Sequence, residues 1–469
     1  MFRPYPDYRR TDLKWFEYLP ESWAILRTKQ MFRLVIEKAP ANNQMELLSV
    51  YTHIGVRPRK SLEQRGNKAS TTDGYWVVKE GDIICNKLLA WMGAIGASHY
   101  QGVTSPAYDI LRPIKSCNTD YYHFLFRTKE YLQQFKIRSR GIMDMRLRLY
   151  FDQFGQIPIP VPPRPEQDQI VAYLRAQDAH IARFIKAKRD LISLLIEQKQ
   201  TIIEGAVTQG LNAATEKRDS GIDWIPNIPA HWETCKIKHV AAFNPSRSES
   251  AAFRLSDVSV SFLPMECITT DGKLQSVENR KTSEVWEGYT YFRRNDVVMA
   301  KITPCFENGK GGLLDTLPTE IGFGTTEFIV LRAAEQRIRP AFLAKLLSLR
   351  TFRVLGADAM TGAAGQQRVP LGFVKNFGIA LPPLDEQDQI LNELQTATAE
   401  QDVAIEKIRS EIALIREYRD RLIADVVTGQ VDVRGWQPGP EDVVDDAALA
   451  SLGDEQEDVT EEEDGNGEE

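Results

Sequence analysis

The chain has 469 residues and a formal net charge of −7, and its composition, 42% hydrophobic and 26% charged, lies close to the globular average. A typical domain of about 150 residues predicts about three folded units and excludes a small disulfide-stapled scaffold. No run of 18 residues is free of charge, and the first residues lack an apolar core, so we expect neither a membrane span nor a signal peptide.

Charge is unevenly distributed along the chain. Residues 441–469 hold fourteen acidic side chains and no lysine or arginine, so the rest of the chain has 58 basic and 51 acidic side chains, a net charge of +7. Such a like-charge block cannot offset its ordering entropy, which predicts a disordered acidic tail over 433–469. A solubilising role is favoured for this tail, and mimicry of DNA phosphates is the minor alternative.

The five cysteines do not indicate a disulfide framework or a zinc site. They are at least 32 residues apart, which fits neither pattern: Cys85, Cys117, Cys235, Cys267 and Cys305. Their spacing predicts free thiols in a reducing cytoplasm.

The first module, residues 1–163, is predicted to be mixed. Short β-rich runs such as Tyr75–Val78 and Asp82–Cys85 are separated by Gly, Asn, Asp and Pro, and a helical pattern covers Tyr121–Phe135. The Trp15-x4-Pro20-x2-Trp23 motif opens the module. We interpret its tryptophans as buried anchors of the fold, not as base-stacking platforms.

A long helix is predicted next, over 164–211. Pro165 suits the first helical position, Glu166 and Asp168 put negative charge on the first turn, and Gly210 lies where the helix should end. Apolar residues recur at four- and three-residue steps from Leu174 onward, which is typical of a coiled-coil seam.

The second module, residues 212–381, repeats this order. Its β-rich runs include Asp296–Met299 and Glu327–Leu331, and a helical pattern covers Pro340–Val354. A second long helix follows over 382–432, with Asp385 as its expected N-cap and a glycine, Gly429, at its end. Trp224-x4-Pro229-x2-Trp232 matches the opening of the first module.

An internal repeat therefore organises the chain. Residues 162–170 recur at 382–390 with seven of nine positions identical, and the correspondence continues without a gap to the end of each helix. The interiors of the modules barely agree. The sequence predicts an α+β protein with two mixed modules, each followed by a long helix, and the two helices pair as an antiparallel coiled coil. The alternative is that each helix packs on its own module.

Catalytic constellations are missing from the sequence. It contains no phosphate-binding loop, no dinucleotide-binding glycine motif and no His-Glu-x-x-His. The six histidines show no metal-ligand spacing. We therefore expect no catalytic residues, no metal and no cofactor on this chain.

The duplicated Pro-Pro-x-x-Glu-Gln-x-x-Ile helix start, following two divergent modules, resembles the specificity subunit of type I restriction-modification enzymes. Further similarities are the segments Thr326–Arg332 and Gly362–Val369 and the Leu-Pro-x-x-Trp opening at Leu19–Trp23. The first module departs from the pattern, with Ser105–Tyr108 and Gly141–Arg146 in place of the corresponding segments.

This resemblance implies a non-catalytic DNA-binding subunit in which each module is a target-recognition domain for one half of a split double-stranded DNA site. The helices would set the half-site spacing and dock methyltransferase subunits, with two expected. The cofactors S-adenosylmethionine, ATP and Mg would belong to those subunits and to any restriction and translocase subunits.

Candidate DNA-binding residues follow from the chemistry of base edges and phosphates, which favours Arg, Lys, Gln and Asn. Those predicted are Lys87, Arg138, Arg140, Arg146 and Arg148 in the first module, and Lys301, Lys310, Gln366, Gln367 and Arg368 in the second. Any single one of them also fits a solvated surface position. The alternative function is a coiled-coil scaffold that joins two protein-binding modules without DNA recognition.

Overall fold

The computed structural model describes residues 4–52, 55–59, 72–141, 147–363, 365–444, 449 and 452. The first module contains strands β1 Tyr8–Arg10, β2 Tyr18–Pro20, β3 Ala24–Arg27, β4 Phe32–Val35, β5 Leu48–Tyr51, β6 Gly55–Pro58, β7 Trp76–Val78, β8 Ile83–Asn86, β9 Ile95–Ala97, β10 Gly102–Thr104, β11 Tyr108–Pro113 and β12 Pro158–Val161. Its helices are α1 Thr28–Met31, α2 Thr119–Phe126, α3 Lys129–Arg138 and α4 Phe151–Phe154. Helix α5, Arg164–Gln209, follows.

The second module contains strands β13 Lys217–Ile222, β14 Ile225–Pro229, β15 Glu233–Lys236, β16 Ala241–Phe243, β17 Ser259–Leu263, β18 Glu278–Lys281, β19 Thr290–Arg293, β20 Val297–Ala300, β21 Gly311–Leu313, β22 Ile321–Gly324, β23 Phe328–Ala333 and β24 Gly378–Leu381. Its helices are α6 Ala251–Leu255, α7 Thr282–Val285, α8 Pro340–Leu347, α9 Arg350–Asp358 and α10 Leu371–Asn376, and helix α11 is Leu384–Val427. The predicted α+β class is confirmed.

Each module is built on the same antiparallel four-stranded sheet. The strand order is β4-β11-β8-β9 in the first module and β16-β23-β20-β21 in the second. The inner strands β8 and β20 are short, largely apolar strands that are buried along their whole length, as expected when both faces of a strand are covered. The cores of the two modules therefore have the same sheet architecture even though their interior sequences barely agree.

A buried ion pair recurs in both sheets. Asp82 accepts hydrogen bonds from Nε and Nη2 of Arg112 at 2.8 and 2.7 Å, and Asp296 accepts the same pair from Arg332 at 2.7 and 2.8 Å. The aspartate side chains are each 2% exposed. Bidentate pairs of this kind satisfy a buried carboxylate. The carboxylates hold the pKa of both arginines above the usual value, with the side-chain hydrogen bond to the aspartate as the largest cause.

Beyond this shared sheet the modules differ. The second module has an additional four-stranded sheet of order β18-β17-β22-β19, in which β17 and β22 are parallel. The first module has two-stranded pairs at the corresponding stage of the chain, β5 with β6 and β7 with β10. The duplicated chain has thus kept the four-stranded sheet and the strand pairs β1–β2 and β3–β12, which recur as β13–β14 and β15–β24, and has replaced other structure around them.

The repeated Glu-Gln motif has a structural role. Gln167 accepts a hydrogen bond from the backbone N–H of Asn118 and donates to the carbonyl of Pro162, both at 2.8 Å. Gln387 repeats this with the N–H of Arg339 at 2.8 Å and the carbonyl of Pro382 at 2.9 Å. Each glutamine therefore joins the start of a long helix to the loop before α2 or α8.

The acidic residues of this motif do more than place charge on a helix turn. Glu166 is buried and accepts hydrogen bonds from Tyr5 Oη at 2.6 Å and Trp23 Nε1 at 2.9 Å. Helix α11 begins at Leu384, so Asp385 lies in its first turn, and the prediction that Asp385 is the N-cap is wrong. The expected anchoring role of the tryptophans is confirmed, since Trp23 and Trp232 are buried and Trp15 and Trp224 pack against the same cores.

The chain forms two compact units. The first unit combines residues 1–191 with 407–469, and the second is 192–406. Each unit therefore holds one module, one end of α5 and the opposite end of α11. Apolar residues of α11 near its C-terminus, such as Val426, join the core of the first module, and those near its N-terminus, such as Ile390, join the core of the second.

The two long helices run antiparallel within each unit. In the first unit Asp178 pairs with Arg419, whose Nε lies 2.7 Å away, and Lys188 pairs with Glu411 at 2.7 Å, so residue numbers rise on α5 as they fall on α11. In the second unit Lys199 lies 2.5 Å from Asp402, and a Cβ on Gly210 would lie 3.4 Å from Oε1 of Glu386, so the same order holds. The polar positions of the predicted α5 seam are thus satisfied by ion pairs across the helix pair.

Glycines close both helices as predicted. Gly210 and Gly429 adopt positive φ angles of 72° and 74°. A Cβ on Gly429 would lie 2.5 Å from Cδ of Pro20, so only glycine fits there without displacing the motif that opens the first module.

The segment after α11 packs on α5, which differs from the disorder expected from residue 433 onward. Val433 is fully buried, Trp436 makes an edge contact with Tyr173, and Asp442 lies 2.7 Å from His180. Most of the acidic tail that follows lies outside the described residues. Within the described ranges no helix is both long enough and apolar enough to cross a membrane.

Candidate nucleic-acid interface

Three loops meet at the end of strand β20 in the second module. The backbone N–H of Lys301 donates to the carbonyl of Glu327 at 2.9 Å, and the N–H of Val369 donates to the carbonyl of Lys301 at 2.8 Å. Loops 301–310, 325–327 and 361–369 are thereby held side by side. Residues that are distant in sequence become neighbours on the surface.

We call the charged and polar side chains here the Lys301 cluster: Lys301, Glu327, Gln366, Gln367 and Arg368. Lys301 Nζ donates to the carbonyl of Thr326 at 2.8 Å. Arg368 donates to both carboxylate oxygens of Glu327, through Nε at 2.9 Å and Nη2 at 2.8 Å, and its side chain is 44% exposed. Hydrogen bonding from Arg368, with a smaller contribution from Lys301, lowers the pKa of the Glu327 carboxyl.

The glutamine-rich loop presents its side chains at the surface. Backbone hydrogen bonds between Thr361 and Arg368 close the loop, and Gly362 and Gly365 within it have positive φ angles of 127° and 80°. Gln366 is exposed, and Gln367 is half-buried. An exposed amide on a glycine-containing loop is suited to bidentate recognition of a base edge.

Lys310 lies at the other end of loop 301–310 and is half-buried, with Nζ donating to the carbonyl of Met265 at 3.3 Å. Beside it is Arg353, a cation that the sequence analysis missed. A Cβ on Gly309 would lie 2.2 Å from Arg353 Nη1, so the guanidinium occupies the space over this glycine. Burial, together with nearby Arg350, lowers the pKa of Arg353. No sequence signal indicated that α9 approaches this loop.

The first module repeats the arrangement at the end of β8, and we call these residues the Lys87 cluster: Lys87, Arg140 and Arg148. The N–H of Leu149 donates to the carbonyl of Lys87 at 2.9 Å, as Val369 does to Lys301. Lys87 Nζ donates to the carbonyl of Pro106 at 3.1 Å. Arg140 and Arg148 face each other across an antiparallel bridge, as Thr361 and Arg368 do.

Lys87 and Arg148 therefore occupy the positions of Lys301 and Arg368. Arg148 is exposed, and Arg140 pairs with Asp152 at 2.6 Å on the surface. Arg138 lies apart from them. Its guanidinium packs 5.7 Å from the centre of the Trp15 ring and donates to Gln134, which indicates a packing role. The predicted residue Arg146 lies outside the described residues.

The clusters have no arrangement that suggests catalysis. In the described part of the chain, no three His, Cys, Asp or Glu side chains are grouped so that they could hold a metal ion. The lysine, arginine and amide groups of the clusters can donate hydrogen bonds, which suits the binding of phosphates and base edges. All five cysteines are free thiols.

Comparison with known proteins gives the clusters a context. The family model for the type I restriction modification DNA specificity domain matches residues 20–193. These residues comprise most of the first module and the first part of helix α5, and this part of the chain is therefore similar to such a specificity domain. The family resemblance found in the repeated motifs is thereby confirmed.

Proteins similar to this chain include the specificity subunit of the type I restriction enzyme EcoAI from Escherichia coli, which is 39% identical over 166 residues. That match covers 35% of this chain and 27% of the relative, so the chain spans about a quarter of it. The specificity subunit of MjaVIII from Methanocaldococcus jannaschii is 24% identical over 442 residues, which is 89% of this chain and 94% of the relative.

The fold of the two-module chain also matches a solved structure described as "Structural basis underlying complex assembly and conformational transition of the type I R-M system". The TM-score is 0.54 at 13% identity, over 88% of this chain and 99% of that one. Within the present chain, the second module repeats the four-stranded sheet and the cation positions of the first module. It is therefore a second copy of the same architecture.

Proposed function

We propose that this chain is the DNA specificity subunit of a type I restriction-modification complex. Each module binds one half of a split double-stranded DNA target, and the paired helices set the spacing of the two halves. The chain itself is non-catalytic and acts in the cytoplasm. It directs methyltransferase subunits, which supply S-adenosylmethionine chemistry, and any restriction subunits, which use ATP and Mg.

The observation that carries this proposal is the repetition of one basic cluster on two otherwise divergent modules. A lysine at the end of the central strand and an arginine on an adjoining loop occur at equivalent positions in both, Lys87 with Arg148 and Lys301 with Arg368. Groups that are the same in two modules cannot distinguish two different half-sites. We therefore assign these four cations to DNA phosphates, which every sequence offers.

Base recognition then falls to the parts that differ. Gln366 and Gln367 lie beside the phosphate-binding cations of the second module, while the first module has no glutamine in the corresponding stretch, 141–148. A glutamine amide pairs with the N6 and N7 edge of adenine. We assign these two side chains to base reading, and the additional sheet β18-β17-β22-β19 to contacts with the same half-site.

The test is to sequence native genomic DNA for modified adenines with and without this gene. The proposal expects a motif of two specified blocks around an unspecified gap, with methylation lost when the gene is deleted. Unchanged methylation while the partner genes are expressed and intact would favour the scaffold alternative. Binding of duplex DNA by the purified complex would then decide between a silent specificity subunit and that scaffold.

A further inference from the structure

In each module one of the two shared cations is paired with a carboxylate, but it is the lysine in the first module and the arginine in the second. In the first module Asp109 lies 3.6 Å from Lys87 Nζ, while Ala107 precedes the start of β11. In the second module Glu327 precedes the start of β23 and binds Arg368. The strand registers place Ile329 at the position of Asp109. The acid is thus moved from the lysine to the arginine.

The hydrogen bonds of Arg368 leave a defined set of donors. A guanidinium has five N–H groups. One on Nε and one on Nη2 bind Glu327, and one on Nη1 donates to the carbonyl of Gln366 at 3.2 Å. One donor therefore remains on each terminal nitrogen. A pair of donors on the two terminal nitrogens matches two oxygens of a phosphate.

We propose that Glu327 is a positioning residue that holds Arg368 in the orientation that binds a DNA phosphate. This inference rests on the proposed function. A long side chain that is already ordered loses less conformational entropy on binding, which is worth about a 2- to 10-fold gain in affinity for one side chain. Arg148 has no carboxylate at the position equivalent to Glu327, so the second module binds its phosphate with a pre-oriented arginine and the first does not use this device.

Glu327 also bears a negative charge close to the expected DNA backbone, and this charge opposes binding. The two effects have opposite signs and depend differently on Arg368. Orientation matters only while Arg368 is present, whereas repulsion acts whether or not it is. A double-mutant cycle separates them.

The experiment measures binding of the full chain, purified with its associated subunits, to a duplex carrying its methylation motif. Glu327→Ala is expected to weaken binding about 2- to 10-fold in the parent chain, because Arg368 loses its orientation. In the Arg368→Ala background the same change is expected to strengthen binding, because only the loss of a repulsive charge remains. Glu320→Ala, which removes an exposed acid from the same module outside the cluster, serves as the matched control.

Three results would overturn parts of this account in different ways. If Glu327→Ala strengthens binding in both backgrounds, Glu327 only masks the cluster, and the positioning role is wrong. If Arg368→Ala also removes one base pair from the methylation motif, Arg368 reads a base and not a phosphate. If neither Arg368→Ala nor Lys301→Ala changes DNA binding, the cluster is not the interface, and the DNA assignment itself fails. Thermal unfolding of each variant checks that it remains folded.

Discussion

The two modules have one architecture that occurs twice in the chain. Both have the same four-stranded sheet, the same buried Asp–Arg pair and the same lysine–arginine cluster beyond the central strand. They differ in the structure added around that sheet and in the loop that adjoins the arginine. On the proposed function, the shared parts bind DNA in both modules, and the parts that differ give each module its own target.

The largest expected effect comes from the shared ion pair. Asp82→Ala or Asp296→Ala removes the bidentate partner of a half-buried arginine, which keeps only its contact with Glu37 or Glu249, so the change should cost about 3 kcal/mol of unfolding free energy. Hydrogen exchange measured peptide by peptide should show each loss mainly in the unit that carries the change. Asp152→Ala, which breaks a surface pair with Arg140, is the control and should cost at most about 1 kcal/mol. If Asp152→Ala costs as much unfolding free energy as Asp82→Ala or Asp296→Ala, the stabilising role assigned to the buried aspartates is wrong.

The tryptophans that open the two modules differ in their hydrogen bonding, and this difference gives the next largest expected effect on stability. Trp23 Nε1 donates to buried Glu166, whereas Trp232 Nε1 is buried with no hydrogen-bond partner in the described part of the chain. Trp23→Phe should therefore cost about 1–3 kcal/mol more than Trp232→Phe, because it takes a donor from a buried carboxylate. Denaturant unfolding of the two variants tests this. Equal costs would show that the hydrogen bond adds nothing to the packing of the ring.

The equivalence of Lys87 and Lys301 is testable through salt dependence. If each binds one phosphate, replacing either with alanine should reduce the slope of log affinity against log salt by about one, with no change of motif. Binding measured between low and physiological salt gives this slope. A change in the methylation motif for either variant would mean that the shared lysines read bases.

Acid should affect the modules differently. His123 lies on α2 with its ring against Gly55 and Gly96, whereas α8 of the second module has no histidine. Burial, the largest cause, lowers the pKa of His123 well below 6.5; Arg127, His99 and Arg419 lower it further, and Asp120 opposes them. The unfolded chain therefore binds the proton more readily.

The first unit should consequently be fully stabilised above about pH 6.5 and lose stability as the pH falls below it. His123→Leu should flatten this dependence, whatever it does to stability at neutral pH. Thermal unfolding between pH 5 and 8 measures the slope. An unchanged slope in the variant would assign the acid sensitivity to another group.

The sequence predicted the features whose signals are local. The long helices, their closing glycines and the buried tryptophans follow from periodicity, capping residues and the repeat itself. The helical regions were placed correctly, but the sequence did not show that each is divided into two helices. In the first module α2 ends at Phe126 and α3 begins at Lys129, and the hydroxyl of Thr128 between them donates to the carbonyl of Leu125.

The site was only partly accessible to sequence reasoning. Lysines and arginines could be chosen by chemistry, and the structure brings Lys301 and Arg368 together. Their grouping depends on backbone bonds between loops far apart in the chain, as in the Glu327–Arg368 pair, 41 residues apart. Arg353 and the packing role of Arg138 likewise depend on which helix face meets which loop, and periodicity does not specify that.

On the proposed function, the shared cations bind the DNA backbone, while the loops that differ between the modules recognise the DNA sequence. The most direct measurement is adenine-methylation sequencing of strains that carry either Lys301→Ala with Arg368→Ala or Gln366→Ala with Gln367→Ala. The account predicts weaker methylation of the unchanged motif in the first strain, and in the second strain a relaxed sequence preference confined to one half of the motif. A changed motif in the first strain, or changes in both halves in the second, would contradict it.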